Sequence, residues 1–525
     1  MTTKRDAAAS ARPLLPLWLA LLAGGAAGAL MDLAFPEAAL WPLAFPAIAL
    51  LLIALIGRSI GGALLVGLVY GTVLFALLVS WTSRYLGPLP WIALTAVEAV
   101  ITAVLVIPTA LAYRWLPRVL PGRTGRLLLL PLLVAALWVA RETVLGRWPY
   151  GGFPWARVGM TQSESPLATL SSWVGVAGLG FLMVFTVAVM IEVFRTRAWR
   201  RPLLLAVPAL LLALLILVPA YPTTVSGTFR VGAVQGNGPT GYFDTRAPYE
   251  VFEAQADATE PLIGAELDLL VWPEGALDYD PFLDPSTARK LSYLSHRAGA
   301  PILANRATAR DDLFFNTSLL WGVEGGEVQT HDKRHPVPFG EYIPHREFFR
   351  AIVPDLVDLV KREYSPGTDH PVMVVGEAVI GLAICFDVIY DEVIREGIDG
   401  GAELLVFQTN NADFRGTDEN LQQLAFARMR AIETGRWVVN VSTVGTSQII
   451  RHDGSTVSSL GTDVAGALLE EVELRTGRTA GVTLGGWIEQ ITLWGGLAAL
   501  AVTAVMARRR PESGSALLPA AEVVQ

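Results

Sequence analysis

Apolar residues run almost without interruption through the first 222 positions. Seven such runs lie near 13–31, 38–57, 60–82, 90–113, 126–145, 167–194 and 202–221, and an eighth near 484–507. A helix needs about 20 apolar residues to cross ~30 Å of hydrocarbon, and each run meets that length. The pattern predicts a membrane domain over 1–222 with seven transmembrane helices, and an eighth helix over 484–507. Lys4, Arg5 and Arg12 precede the first run as they would in a signal peptide, but the six runs that follow it argue for an uncleaved first helix.

Between 223 and 483 the period changes. Short β-rich runs at 229–235, 268–272, 301–306, 317–323, 328–330, 372–375, 378–385, 404–409, 438–442 and 447–450 read as strands. Amphipathic stretches at 248–265, 287–297, 392–399 and 419–434 read as helices, and Glu324-Gly325-Gly326-Glu327 as a hairpin turn. Strands that alternate with helices and then pair as hairpins predict a layered α/β domain. Residues 508–525 read as a disordered cytoplasmic tail.

Charge orients this plan. Arg58, the group Arg114, Arg118, Arg123 and Arg126, the group Arg195, Arg197, Arg200 and Arg201, and the group Arg508, Arg509 and Arg510 fall on the same side as the N-terminus when eight helices alternate. The opposite loops carry Asp32 and Glu37, then Arg84 alone; the loop with Arg147 and Arg157 is the exception. Both termini are therefore expected in the cytoplasm and residues 223–483 outside it. Composition agrees: 52% of residues are hydrophobic and 17% charged, against about 25% charged in soluble domains. A net charge of −8 supplies no electrostatic footprint for nucleic acid. With one cysteine an internal disulfide framework is excluded.

That cysteine, Cys385, ends the apolar run Val379–Ile384 and is followed by Phe386-Asp387. A free cysteine is often a small buried hydrophobe. Its place at the C-terminal end of a strand, where α/β sheets carry ligands, favours a nucleophile instead. Glu274, after Trp272-Pro273, and Lys333, in His331-Asp332-Lys333-Arg334, also follow strand ends. Each alone has a solvated-loop alternative. Together they supply a proton acceptor, an ammonium for an oxyanion and a thiol. The loop Arg147-Trp148-Pro149-Tyr150-Gly151-Gly152-Phe153-Pro154-Trp155 reads as an interfacial aromatic belt or as the floor of a lipid site.

The surroundings of Glu274, Lys333 and Cys385 resemble the three catalytic motifs of the nitrilase (carbon–nitrogen hydrolase) superfamily. The seven preceding spans, the one that follows, Pro338-Phe339-Gly340-Glu341-Tyr342-Ile343-Pro344, Gly152-Phe153-Pro154-Trp155 and Ala427-Arg428-Met429-Arg430-Ala431 resemble its membrane branch, the apolipoprotein N-acyltransferase family, over about residues 10–507. That resemblance implies a four-layer αββα sandwich joined to a multi-pass helical membrane domain in the bacterial cytoplasmic membrane. It implies a phospholipid acyl donor, a diacylglyceryl-cysteine apolipoprotein as acceptor, and no cofactor. It also implies Glu274 as general base, Lys333 as oxyanion stabiliser, Cys385 as nucleophile and Glu341 as a supporting carboxylate. Phe386, Asp387, Phe153 and Trp155 are expected to bind substrate. The family usually has Tyr-Glu where this chain has Phe386-Asp387.

Two other function classes compete. One is a membrane-tethered amidase or nitrilase with water as acceptor. The other is a non-catalytic assembly or transport protein, for which Glu98, Arg141 and Glu142 are the intramembrane ionisable candidates. His331 and His335 are spaced like a zinc pair, but Pro336 spoils a helix and no HExxH occurs, so no metal is expected. Asn316-Thr317-Ser318 and Asn440-Val441-Ser442 match the short glycosylation pattern.

Overall fold

The computed structural model describes residues 12–200, 210, 213 and 216–509. Among the described residues, five helices are long and apolar enough to cross a membrane: Ile60–Leu78, Pro88–Val119, Gly125–Leu145, Pro166–Arg195 and Ala480–Arg508. Two shorter apolar helices, Leu17–Asp32 and Trp41–Leu55, match the first two runs. Most of the seventh run (202–221), Lys4, Arg5 and the tail beyond 509 lie outside the described residues.

Small residues let these helices approach closely, the usual basis of packing where no hydrophobic drive separates protein from lipid. A Cβ on Gly28 would lie 2.8 Å from the Tyr70 carbonyl oxygen, and one on Gly71 would lie 2.8 Å from Ala99 Cα. Substitution at either position forces the helix pair apart.

The α/β domain is built on two six-stranded sheets. The first joins β1 (Thr224–Gln235), β2 (Leu269–Val271), β3 (Ile302–Arg310), β4 (Leu313–Trp321), β5 (Glu327–Asp332) and β12 (Gly466–Thr476) in the order β12-β1-β2-β3-β4-β5. The second joins β6 (Val372–Val375), β7 (Ala378–Ile384), β8 (Leu404–Thr409), β9 (Val438–Ser442), β10 (Ser447–Ile450) and β11 (Thr456–Leu460) in the order β11-β10-β9-β8-β7-β6. The central strands β1-β2-β3 and β7-β8-β9 run parallel, with antiparallel strands outside them.

Two strands escaped the sequence pattern. β11 is Thr456-Val-Ser-Ser-Leu460 on an exposed edge, and in β12 Glu470, Glu471 and Glu473 interrupt the apolar signal. Backbone pairing with β1 along nearly its whole length holds β12 in place.

Side-chain alternation divides the core. Val231, Leu269, Val271 and Leu303 face Ile380, Leu382, Leu404, Val406 and Val439 between the sheets. Their sequence neighbours Val234, Leu270, Trp272 and Ile302 face the other way, against Phe252, Leu291 and Leu294 of the helices Glu250–Thr259 and Pro285–Ala298. On the second sheet, Ala383, Leu405 and Phe407 point outward to the helices Asp391–Asp399 and Glu419–Thr434. The result is the expected αββα sandwich.

In that last layer the helix Glu419–Thr434 turns no exposed residue to solvent. Phe426, Ala427, Met429 and Val393 share one apolar cluster with Trp155, Leu170, Val176 and Leu179 of the membrane domain. Fully burying a large apolar side chain contributes about 1.5–3 kcal/mol, so the two domains are held by a continuous core. Polar contacts fix the register. Trp155 Nε1 donates to Gln422 Oε1 at 2.6 Å, and Gln422 Nε2 donates to the Leu78 carbonyl at 3.2 Å. Asp391 Oδ1 lies 2.7 Å from both Arg157 and Arg430, and Arg430 pairs with Glu433 at 2.7 Å.

Candidate active site

Three strand ends converge at one edge of the sandwich. Glu274 lies just beyond β2, Lys333 directly after β5 and Cys385 directly after β7. Cys385 takes a left-handed backbone conformation, φ 50°, which is rare and strained for a residue with a Cβ. The turn breaks β7 sharply and lifts the thiol out of the sheet, leaving it half-buried.

Lys333 is fully buried and pinned through its backbone: its N–H donates to the Asn316 carbonyl and its carbonyl accepts from Gly367 N–H, both at 2.8 Å. Its ammonium lies 3.4 Å from Glu274 Oε1 and 2.9 Å from Glu341 Oε2. Asn316 completes the cluster. Its Nδ2 donates to Glu274 Oε1 at 2.7 Å and to Glu341 Oε1 at 3.1 Å, while its Oδ1 accepts from Asn305 Nδ2 at 2.9 Å. Asn305 Oδ1 in turn accepts from Gly275 N–H at 2.8 Å, which fixes the turn after Glu274.

Burial pushes the Glu274 carboxyl above the ordinary glutamate range; the Lys333 ammonium opposes this and the Glu341 charge adds to it. Burial disfavours the Lys333 ammonium too, but Glu274 and Glu341 outweigh it and hold the amine well above the ordinary lysine range. Burial, and then the negative charge of Glu274, push the Cys385 thiol well up. The resting sulfur is therefore protonated, with the Glu274 carboxyl close enough for its charge to act on the thiol. A buried carboxylate beside a thiol, with a fixed ammonium opposite, can take the thiol proton as a bond to carbon forms.

The other expected site residues separate into two groups. Phe153 is half-buried and stacks on Phe386, with ring centroids 6.1 Å apart, forming an apolar wall beside Cys385. Trp155 lies behind it, stacked on Phe153 at 5.5 Å and packed against Trp81 and Phe426. It is 1% exposed, so it supports Phe153 rather than offering a surface of its own. Asp387 is fully buried. Its Oδ1 accepts from His335 N–H at 2.8 Å and its Oδ2 from Arg334 N–H at 3.1 Å. It ties the lysine loop to the cysteine loop and faces backbone rather than open space.

Several residues at the site were not singled out by sequence reasoning. Asn316 was noted only for a glycosylation pattern, yet it is buried and binds both carboxylates, and Asn440 is buried in β9. Gln423 Nε2 donates to Cys385 Sγ at 3.5 Å. Arg430, within the motif Ala427–Ala431, donates to the Val388 and Ile389 carbonyls at 3.0 and 2.9 Å, just past Cys385. Amide side chains carry no charge signature, so neither Asn316 nor Gln423 stood out in the sequence. The rings of His331 and His335 are engaged apart: His331 Nδ1 meets Asp369 at 2.9 Å, and His335 stacks on Tyr390 at 3.8 Å. Among the described residues no group of histidine, cysteine and carboxylate side chains could hold a metal ion. Glu142, near the end of its membrane helix, accepts from Trp138 Nε1 at 2.7 Å and Val158 N–H at 3.1 Å, and so braces the loop that carries Phe153.

Comparison with known proteins bears on the whole chain. Residues 27–189 match the apolipoprotein N-acyltransferase N-terminal domain, and residues 230–480 match carbon-nitrogen hydrolase. An apolipoprotein N-acyltransferase of Azotobacter vinelandii is 31% identical, with the match covering 95% of this chain and 96% of that one. Another, from Mycolicibacterium smegmatis, is 29% identical over 90% of this chain and 83% of that one. With the membrane helices joined to a sandwich whose strand ends bring Glu, Lys and Cys together, the chain belongs to the apolipoprotein N-acyltransferase family, acyltransferases of the carbon–nitrogen hydrolase superfamily.

Proposed function

We propose that this chain moves an acyl group from a membrane phospholipid, through a thioester on Cys385, to the α-amine of the N-terminal diacylglyceryl-cysteine of apolipoproteins. In the first half-reaction Glu274 takes the thiol proton as the sulfur attacks the ester carbonyl. The Lys333 ammonium, with a backbone N–H beside Cys385, stabilises the oxyanion. The carbon–oxygen bond breaks, Glu274 returns the proton to the leaving alkoxide, and lysophospholipid departs. In the second half-reaction the neutral amine attacks the thioester. Glu274 takes a proton from nitrogen and gives it to the sulfur as the carbon–sulfur bond breaks. An amide forms and the thiol is restored.

Glu341 and Asn316 keep the base and the ammonium in register, while Phe153 and Phe386 present an apolar wall to the acyl chain and keep water from the thioester. The loop cations support a topology with both termini in the cytoplasm and the sandwich on the outer face of the bacterial cytoplasmic membrane. Residues 1–222 and 484–507 serve as the anchor and residues 223–483 as the catalytic domain.

One observation carries the proposal: the reactive cysteine, its base and its ammonium meet beside the seam where the sandwich joins the membrane helices. The test is incubation of the full chain with phospholipid alone, followed by mass spectrometry. An acyl adduct on Cys385 and one equivalent of lysophospholipid are expected, with neither in Cys385→Ala. Continuous lysophospholipid release without apolipoprotein would identify water as the acceptor. Full transfer by Cys385→Ala would end the proposal.

A further inference from the structure

On the side of Cys385 formed by the helix Glu419–Thr434, a chain of buried side chains that the chemistry above leaves unused ends on the sulfur. Gln423 Nε2 donates to Cys385 Sγ at 3.5 Å. Gln423 Oε1 accepts from Asn411 Nδ2 at 3.0 Å, and Glu419 Oε2 accepts from the same nitrogen at 2.7 Å. Asn411 Oδ1 accepts from the Ser442 hydroxyl at 2.5 Å, and Ser442 Oγ accepts from Gly445 N–H at 2.9 Å. Gln423, Asn411, Glu419 and Ser442 are all less than 5% exposed.

Donor counting gives this chain a direction. The Gly445 amide can only donate, so Ser442 oxygen receives it and sends its own proton to Asn411 Oδ1. The Asn411 amide is thereby fixed with both N–H bonds turned towards Glu419 and Gln423. Gln423 must then offer its oxygen to Asn411 and aim its N–H at the sulfur. An N–H bond to a thiolate favours the charged form, and that form is what burial and Glu274 oppose at Cys385.

We propose that Gln423 is a catalytic donor to the Cys385 sulfur and that Asn411 and Glu419 are positioning residues that fix its orientation; this rests on Cys385 being the nucleophile. The charges facing the sulfur are those of Glu274, Lys333 and Glu419, and those facing Glu419 are Asp418 and Glu274. Burial pushes the Glu419 carboxyl up to about 8. At neutral pH it accepts the Asn411 N–H mainly as the uncharged acid, and so adds little negative charge beside the nucleophile.

Because Cys385 is the sole cysteine, iodoacetamide reports on it alone. The experiment follows alkylation of the full chain in phospholipid nanodiscs from neutral to alkaline pH. Gln423→Met, close in volume but without an N–H, is expected to slow alkylation at neutral pH about tenfold and to move the midpoint to higher pH, as loss of a charge-assisted hydrogen bond does. Glu419→Met shifts the midpoint the same way. The double variant is no slower than Gln423→Met alone, because both changes act through one N–H. Glu419→Gln still offers Asn411 an oxygen and cannot ionise, so its midpoint lies no higher than wild type and, where the wild-type carboxyl ionises, it reacts faster than wild type.

An unmoved midpoint in Gln423→Met, multiplicative losses in the double variant, or Glu419→Gln behaving like Glu419→Met would each overturn the proposal. If one variant fails to fold, the comparison of Glu419→Gln with wild type above neutral pH still decides. Failure of the nucleophile assignment is distinct: it shows as acyl transfer by Cys385→Ala, whatever the alkylation midpoints do.

Discussion

Replacing Lys333 by methionine keeps the bulk of the side chain and removes its charge. In the native site the ammonium lies 3.4 Å from Glu274 and 2.9 Å from Glu341. At an effective dielectric of about 20, each contact is worth roughly 5 kcal/mol of gross attraction, offset by the desolvation of all three groups. Without the lysine, two carboxylates share the Asn316 amide donor, while Glu341 also keeps the Val337 N–H at 2.7 Å. Like charges so close do not both persist, and one carboxyl takes up a proton. Where that proton sits on Glu274, the base is blocked. Loss of Lys333 as the proposed oxyanion donor costs a further ~10²–10³ in rate. Acyl transfer by Lys333→Met should therefore fall by about 10³ or more. Iodoacetamide alkylation of Cys385 forms no oxyanion, so it should fall by much less and recover as pH rises and the shared proton is lost. Measuring both rates on the same preparation separates the two roles of the lysine. Acyl transfer within tenfold of wild type, or equal losses in the two assays, would refute the reasoning.

Three further outcomes are expected. Asp391→Asn breaks a buried pair with Arg157 and Arg430 and should lower unfolding free energy by ~3–5 kcal/mol at neutral pH, measured as a fall in thermal midpoint. Although burial alone would raise the Asp391 carboxyl, the two arginines hold it far below the usual range. The wild-type advantage is thus fully present above the unfolded value of about 4 and shrinks as pH falls below it; an advantage that grows with acid would contradict this. Trp155→Ala empties a fully buried site shared by both domains and should cost ~3–5 kcal/mol, with easier proteolysis between membrane helices and sandwich as the readout. Asn316→Leu leaves Glu274 without its amide donor and should move the pH dependence of acyl transfer to higher pH, whereas an unchanged profile would deny Asn316 any part in setting the base.

Much of this was legible before any coordinates, for physical reasons that differ by element. Runs such as 404–409 and 438–442 became strands with those same bounds, because a central strand is buried on both faces and reads as a mostly apolar, β-branched run. The helix over 419–434 was equally plain, its register set by Leu424, Ala427 and Ala431. The edge strands β11 and β12 were not, since solvent faces dilute the alternation. The placement of Glu274, Lys333 and Cys385 followed from strand ends. Their neutral partners did not: Asn316, Asn411 and Gln423 are polar residues whose role depends on being buried, and burial of an amide leaves no mark on the sequence. Asp387 illustrates the same limit, because the sequence places a carboxylate beside the thiol without saying that its oxygens are already occupied by the next loop.

The helix layer Asp391–Asp399 and Glu419–Thr434 is covered by sandwich on one side and by membrane helices on the other. A free-standing sandwich would turn that surface to water or to a second copy of itself. Here the bilayer-embedded bundle takes the place of both. Excising residues 223–483 would therefore uncover a greasy plane and yield material that clumps or coats itself with detergent. The catalyst cannot drift away from the sheet of lipid, so with the membrane-held substrates proposed above its encounters take place in two dimensions.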